Sequence, residues 1–524
     1  MIPVISPAKV RLALLTRSEI ALIDLREEQP FSAGHPLFAA CLPLSRLEIE
    51  ILERIPRKNT AIVLYDNGEG LTTPAADRLR MLGYVQLSVL DGGLEGWRAA
   101  GYELFTDVNS PSKAFGELVD TRRETPSVSA AELRAMIDSE ANIVVLDVRR
   151  FDEFQTMSIP TGISVPGAEL VLRAPEIASD PNTTIIVNCA GRTRSIIGAQ
   201  SLINAGLPNP VAALRNGAIG WTLAGLTLEQ GQQQRFPSAT PFGVEETRRR
   251  ARSVADRAGV RRLTLQGVAE LAQASDRTIY RFDVRIPEEY ARGHIGGFRN
   301  APGGQLLQET DVFAAVRGAR IVVADDLGAR ADMTASWLAQ MGWEAYVLDD
   351  DFPSELEIGS DRPTLPALPN VPSTSPADLA EALKRREVSV IDFALSAQYR
   401  KGHIPGAWFA IRARIADAIP LLPRDVPIVL ASPDGALARL AAAEVEARSN
   451  HPVRVLQGGT AAWLAAGFSL EAGFSRAASP SEDVYQRPYE GVDHPADAKQ
   501  AYLDWEFGLV DQLARDGTHG FFVI

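Results

Sequence analysis

Cys189 stands in Val187-Asn188-Cys189-Ala190-Gly191-Arg192-Thr193-Arg194-Ser195. Thr184-Ile185-Ile186-Val187 reads as a short buried strand, and a helical pattern runs from Ser195 through Leu202. The thiol therefore belongs in a tight loop between the carboxyl end of a strand and the start of a helix. Free loop amides and the positive end of a helix dipole favour an anion there. Arg192 and Arg194 add cationic charge. Such surroundings lower a cysteine pKa and make a thiolate nucleophile. The plain alternative is an inert buried thiol, a small hydrophobe.

The element that must position this loop is repeated. A strand ending in Asp recurs around Asp24, Asp147, Asp283 and Asp392, at intervals of roughly 110 to 140 residues, one small domain each. A Gly-His pair follows in three copies, Gly34-His35, Gly293-His294 and Gly402-His403; the second copy has Met157-Ser158. A Gly/Trp element closes three copies at Trp97, Trp221 and Trp463. Short strands alternating with helices imply a parallel sheet covered on both faces, with the reactive loop beyond the strand carboxyl ends.

The Cys189 loop resembles the active-site loop of the rhodanese family, the sulfurtransferases, and the resemblance extends over all four units, about residues 1–475. In that family the loop amides cradle a cysteine persulfide. Family sulfurtransferases place four residues between Cys and Arg, and the phosphatases that share the fold place five. Cys189 and Arg194 bracket Ala190, Gly191, Arg192 and Thr193, so Ser195 stands where a phosphatase needs Arg. The common loop has Gly where this chain has Arg192. The Gly-Ser/Thr-Gly-Val run of the mercaptopyruvate branch is absent. The implied fold is α/β: four tandem rhodanese-like doubly wound domains, with a C-terminal helical tail. The implied bounds are 1–112, 113–240, 241–360, 361–475 and 476–524. Linkers are expected at Thr106 to Pro126, Gln230 to Gly243 and Ser354 to Ser375.

Placed by the strand end and by the aromatic after the helix, the cysteine position is Asp66, Cys189, Asp325 and Ser432 in the four units. The arginine position is Leu71, Arg194, Arg330 and Leu437. A carboxylate cannot carry a transferable sulfur, but Asp66 or Asp325 can fill the amide cradle from within. Ser432 lacks an evident base and sits in an ordinary turn, Pro433-Asp434-Gly435. Cys41, in an apolar strand, reads as core. Residues 113–240 hold no histidine, so His35, His294 and His403 read as structural. Tyr502, Trp505, Leu509 and Leu513 form one stripe on a helix spanning Ala498 to Arg515, read as packing on its own body.

The family resemblance implies a two-step transfer through a Cys189 persulfide, from a small anionic donor such as thiosulfate to a thiol or cyanide. Arg194 and Arg192 are expected to hold the donor, Ala190, Gly191, Thr193 and Ser195 to build the cradle, and Arg149 to face the pocket. No cofactor is called for, and nothing resembles a zinc-ligand cluster. A binding or sulfur-carrier scaffold is the competing reading, since three loops are degenerate. The net charge of -13 argues against a nucleic-acid partner. The absence of long apolar runs argues against a membrane span, and two cysteines without a secretory start suit a reducing cytoplasm. A homodimer is compatible with this organisation.

Overall fold

The computed structural model describes residues 2–238, 240–274, 276–423, 426–449, 451–490 and 494–524. It contains four five-stranded sheets with one strand order throughout. In the second unit the strands run, edge to edge, Ser127–Val128, Val211–Leu214, Thr184–Asn188, Ile143–Asp147 and Ile163–Ser164, all parallel. The middle strand is the most protected, with Ile185, Ile186 and Val187 each 0% exposed, which is why it reads as an unbroken apolar run.

Register fixes the equivalence of the four loops. Asp24 pairs with Tyr65, Asp147 with Asn188, Asp283 with Ala324 and Asp392 with Ala431. The next residues are Asp66, Cys189, Asp325 and Ser432, as the sequence alignment of the units expected. The Gly-His histidines are structural. His294 stacks on Tyr290 and His403 on Tyr399, with ring centroids 3.7 Å apart, and His35 stacks on Phe31 at 3.9 Å. Each also lies in a backbone bridge to the segment that closes its unit, and Ser158 takes that place in the second. Trp97, Trp221 and Trp463 each donate through Nε1 to the carbonyl six residues on, at Glu103, Thr227 and Ser469.

Two segments differ from expectation. The stretch from Thr106 to Pro126 is not an open linker, because Ser110–Arg123 is a helix buried from Ser110 through Val119. Its Pro111 sits in the first turn, where a missing N–H costs nothing. The tail helix is two helices, Ala496–Phe507 and Leu509–Asp516, broken at Gly508. Both pack on the body, and Phe521 is buried while Phe522 donates its N–H to Gln340.

The units share buried contacts. The first and third meet at Thr60 and Thr278, whose hydroxyls lie 3.1 Å apart, and at Tyr280, which donates to the Arg54 carbonyl at 2.6 Å. The second and third meet at Arg330 and Glu169, 2.8 Å apart and each no more than 1% exposed. The fourth joins the first through Arg412 and Glu48, 2.9 Å apart. No helix among the described residues is long and apolar enough to cross a membrane.

Candidate active site

Cys189 follows the Thr184–Asn188 strand directly, and the helix Thr193–Asn204 begins four residues later. The loop is braced from the closing element, where Ala218 N–H donates to the Cys189 carbonyl at 2.9 Å and Ile219 N–H to the Ala190 carbonyl at 3.0 Å. That approach requires Gly217, at φ +51°, because a Cβ there would lie 2.4 Å from the Cys189 oxygen. Gly93 and Gly459 hold the same relation to the Asp66 and Ser432 carbonyls.

The thiol is 2% exposed. Its Sγ lies 3.5 Å from Ser195 Oγ, which in turn donates to the Arg192 carbonyl at 2.8 Å. Burial pushes the thiol pKa up; the Arg194 charge and the Ser195 hydroxyl and N–H pull against it without prevailing. The expected net lowering is therefore corrected.

Arg194 Nη1 and Nη2 donate to Glu153 at 2.8 and 2.9 Å. Burial works to raise the Glu153 carboxyl, yet the Arg194 charge and hydrogen bonds bring it down to about 2. Arg149 is 0% exposed and grips Asp147 at 2.9 and 2.6 Å, with a further bond to the Met157 carbonyl. Its Nη1 is buried with no hydrogen-bond partner among the described residues. Both arginines line one cavity of about 460 Å³.

The donor-holding role expected for Arg192 is corrected. Its guanidinium donates to Glu117 at 2.7 and 2.8 Å, to Asp120 at 3.0 Å and to Asn216 at 3.1 Å. The Phe507 ring centroid lies 4.4 Å from it. Arg192 ties the loop to the Ser110–Arg123 helix, and its charge is already matched. Thr193 also packs on that helix, where a Cβ at Gly116 would lie 2.8 Å from Thr193 Cγ2. Ala190 is buried against Tyr489 and Tyr502 of the tail, and Gly191 faces Tyr502 and Glu506.

Sequence reasoning missed the groups supplied from a distance: Glu153, Glu117, Tyr489, Tyr502 and Glu506. Only Glu153 left a signal. It lies four residues after Arg149, as Glu289 lies four after Arg285, and these are the two units with Arg in the loop. Tyr502 donates to Glu506 Oε1 at 2.6 Å, while Oε2 is buried and unpartnered among the described residues. Burial, with Glu117 nearby, raises Glu506 to about 8.

The remaining loops are filled or blocked. Asp66 accepts from Gly68 and Leu71 N–H at 3.0 and 2.6 Å. Asp325 accepts from Gly328 N–H at 2.9 Å and from Arg330 N–H at 3.3 Å. Arg330, at 0% exposure, also meets Glu169, Glu289 and Asp326, so its charge is already matched within the protein. Ser432 Oγ accepts from Ala438 N–H at 3.3 Å. Burial pushes the Cys41 thiol well up, in keeping with a core role.

The rhodanese-like domain family matches residues 7–100, 129–224, 267–354 and 375–466. The crystal structure of a thiosulfate sulfurtransferase from Pseudomonas aeruginosa is 58% identical to this chain, each chain being covered in full, with a TM-score of 0.98. An uncharacterized protein of Synechocystis is 34% identical over 98 residues, 19% of this chain and 54% of that protein. An HTH-type transcriptional regulator of Mycobacterium tuberculosis is 30% identical over 105 residues, 20% of this chain and 45% of that protein. The chain thus spans about half the length of these two curated relatives. With four matched domains across more than half of its residues, the chain belongs to the rhodanese family.

Proposed function

We propose that this protein is a sulfurtransferase working through Cys189, with thiosulfate or a similar small anion as donor. The observation that carries this reading is the contrast among four equivalent loops. Two are occupied by their own aspartates and one by a serine, and the second alone presents a thiol, with Arg194 behind it. The likeness to the Pseudomonas thiosulfate sulfurtransferase supports the choice of donor.

Cys189 loses its proton to solvent and attacks the outer sulfur of thiosulfate. The S–S bond breaks, sulfite leaves with the electron pair, and a persulfide anion remains on Cys189. Loop amides at the start of the Thr193–Asn204 helix stabilise that anion. The acceptor, cyanide or a thiolate, then attacks the outer sulfur and releases the Cys189 thiolate. Arg149 Nη1 and Arg194 hold the oxyanion end of the donor, while Ala190, Gly191, Thr193 and Ser195 shape the cradle. The equivalent loops of the other three units carry no thiol, and a reducing cytoplasm suits the free thiol of the second.

Intact mass after incubation with thiosulfate tests the assignment. One added sulfur on Cys189, removed by cyanide and absent in Cys189→Ser, is expected. Full transfer activity in Cys189→Ser would overturn it.

A further inference from the structure

The cavity beside Arg194 is built by the whole chain. Asn109 comes from the first junction, Arg194 from the second unit, Glu309 from the third, Lys401 from the fourth and Tyr489 from the tail. Its volume of about 460 Å³ lies in the range of small-molecule sites. Thiosulfate and cyanide fill only a small part of such a space.

Its charges are mostly matched. Arg150 pairs with Asp152, Arg194 with Glu153, and Arg487 with Glu28 and Glu490. Two are left over. Lys401, exposed at the end of the helix Ser396–Lys401, makes no ion pair or side-chain hydrogen bond among the described residues. Glu309, half-buried between the helices Gly303–Gln308 and Thr310–Phe313, likewise makes none among them. They do not pair with each other, so one cavity presents a separate cation and a separate carboxylate. A ligand that satisfies both carries a carboxylate and an ammonium.

We propose that this cavity is the acceptor site and that it selects low-molecular-weight amino-acid thiols, with Lys401 holding the carboxylate and Glu309 the ammonium. The inference rests on the sulfurtransferase reading. The acceptor thiolate attacks the outer persulfide sulfur, the S–S bond breaks, Cys189 departs as thiolate, and the acceptor leaves as its own persulfide.

The test compares L-cysteine, 3-mercaptopropionate, cysteamine, 2-mercaptoethanol and cyanide as acceptors from the thiosulfate-loaded full chain, each thiol at equal thiolate concentration. L-Cysteine is expected to show the lowest KM. Lys401→Gln should lower transfer to the carboxylate-bearing thiols, relative to cyanide, about tenfold, the loss of one charge-assisted contact, and spare the ratio for cysteamine. Glu309→Gln should do the same for the ammonium-bearing thiols and spare 3-mercaptopropionate. Equal KM for all four thiols, or a uniform loss in either variant, overturns the acceptor assignment. Failure to load sulfur or pass it to cyanide instead sinks the sulfurtransferase reading itself.

Discussion

Arg285 donates through Nη1 to Asp326 at 3.1 Å, and Arg330 reaches the other oxygen of the same carboxylate at 2.6 Å. Asp326 thus bridges two arginines in the third unit. By register their counterparts in the second are Arg149, Arg194 and, in place of Asp326, Ala190. The nitrogen equivalent to Arg285 Nη1 has no acceptor there among the described residues. The third unit carries within its own loop the anion that the second is proposed to take from its substrate.

Ala190→Asp should therefore convert the second loop toward the third. Thiosulfate loading is expected to fall at least tenfold, because an internal carboxylate competes for the Arg149 and Arg194 donors. Ala190→Asn, of the same size without the charge, should fall less. Equal loss in both variants, measured by stopped-time mass spectrometry, would show that bulk against Tyr489 is the cause.

Arg192 braces the loop against the Ser110–Arg123 helix. Arg192→Gln leaves Glu117, 5% exposed on its side chain, without its partner, and removal of one member of such a buried pair costs about 3 kcal/mol or more. Denaturant unfolding should register that loss, while KM for thiosulfate in the folded variant changes little. A large rise in KM at unchanged stability would restore Arg192 to the donor site.

Gly217 supports the thiol loop through close backbone approach. Gly217→Ala puts a Cβ against the Cys189 and Gly191 carbonyls, at 2.4 and 2.6 Å, from a positive φ. A stability loss of about 2 kcal/mol or more is expected, with loss of sulfur loading. Gly93→Ala makes the same contact on the Asp66 carbonyl, 2.5 Å away, in a loop without a thiol. It should cost stability and leave the loading rate per folded molecule intact.

The thiol pKa is raised by burial, so loading should climb with pH and still be rising at pH 9, the ordinary value for the group. Rapid-quench measurement of persulfide formation would read this. A plateau already reached at neutral pH would mean that the loop ionises the thiol after all.

Glu506 gives stability a separate pH dependence. Its folded value of about 8 lies above the ordinary 4.5, so between them the folded chain holds a proton that the unfolded chain has released. Stability from this group is complete below 4.5 and declines as pH rises through 8. Glu27 adds to the same trend, with burial raising it to about 8. Melting temperature should fall between about pH 5 and pH 8, and fall less in Glu506→Gln. Parallel curves for the two proteins would rule out Glu506 as a source.

The four-fold repeat, the parallel sheet of each unit and the position of the reactive loop were legible in the sequence, because a buried parallel strand is an unbroken apolar run and each repeat carries a strand ending in Asp. The filling of the Asp66 and Asp325 cradles was legible too, since one carboxylate supplies the anion that local amides demand. What Arg192 and Cys189 do was not. Loop chemistry alone makes Arg192 a free cation and Cys189 a lowered thiol. The helix Ser110–Arg123 matches the first with Glu117 and Asp120, and burial raises the second. Nor does any local pattern announce that residues as distant as Glu309, Lys401 and Tyr489 line one cavity with Arg194. Backbone periodicity sets each unit by itself, but charge pairing and desolvation depend on which units meet, and only the tertiary structure decided that.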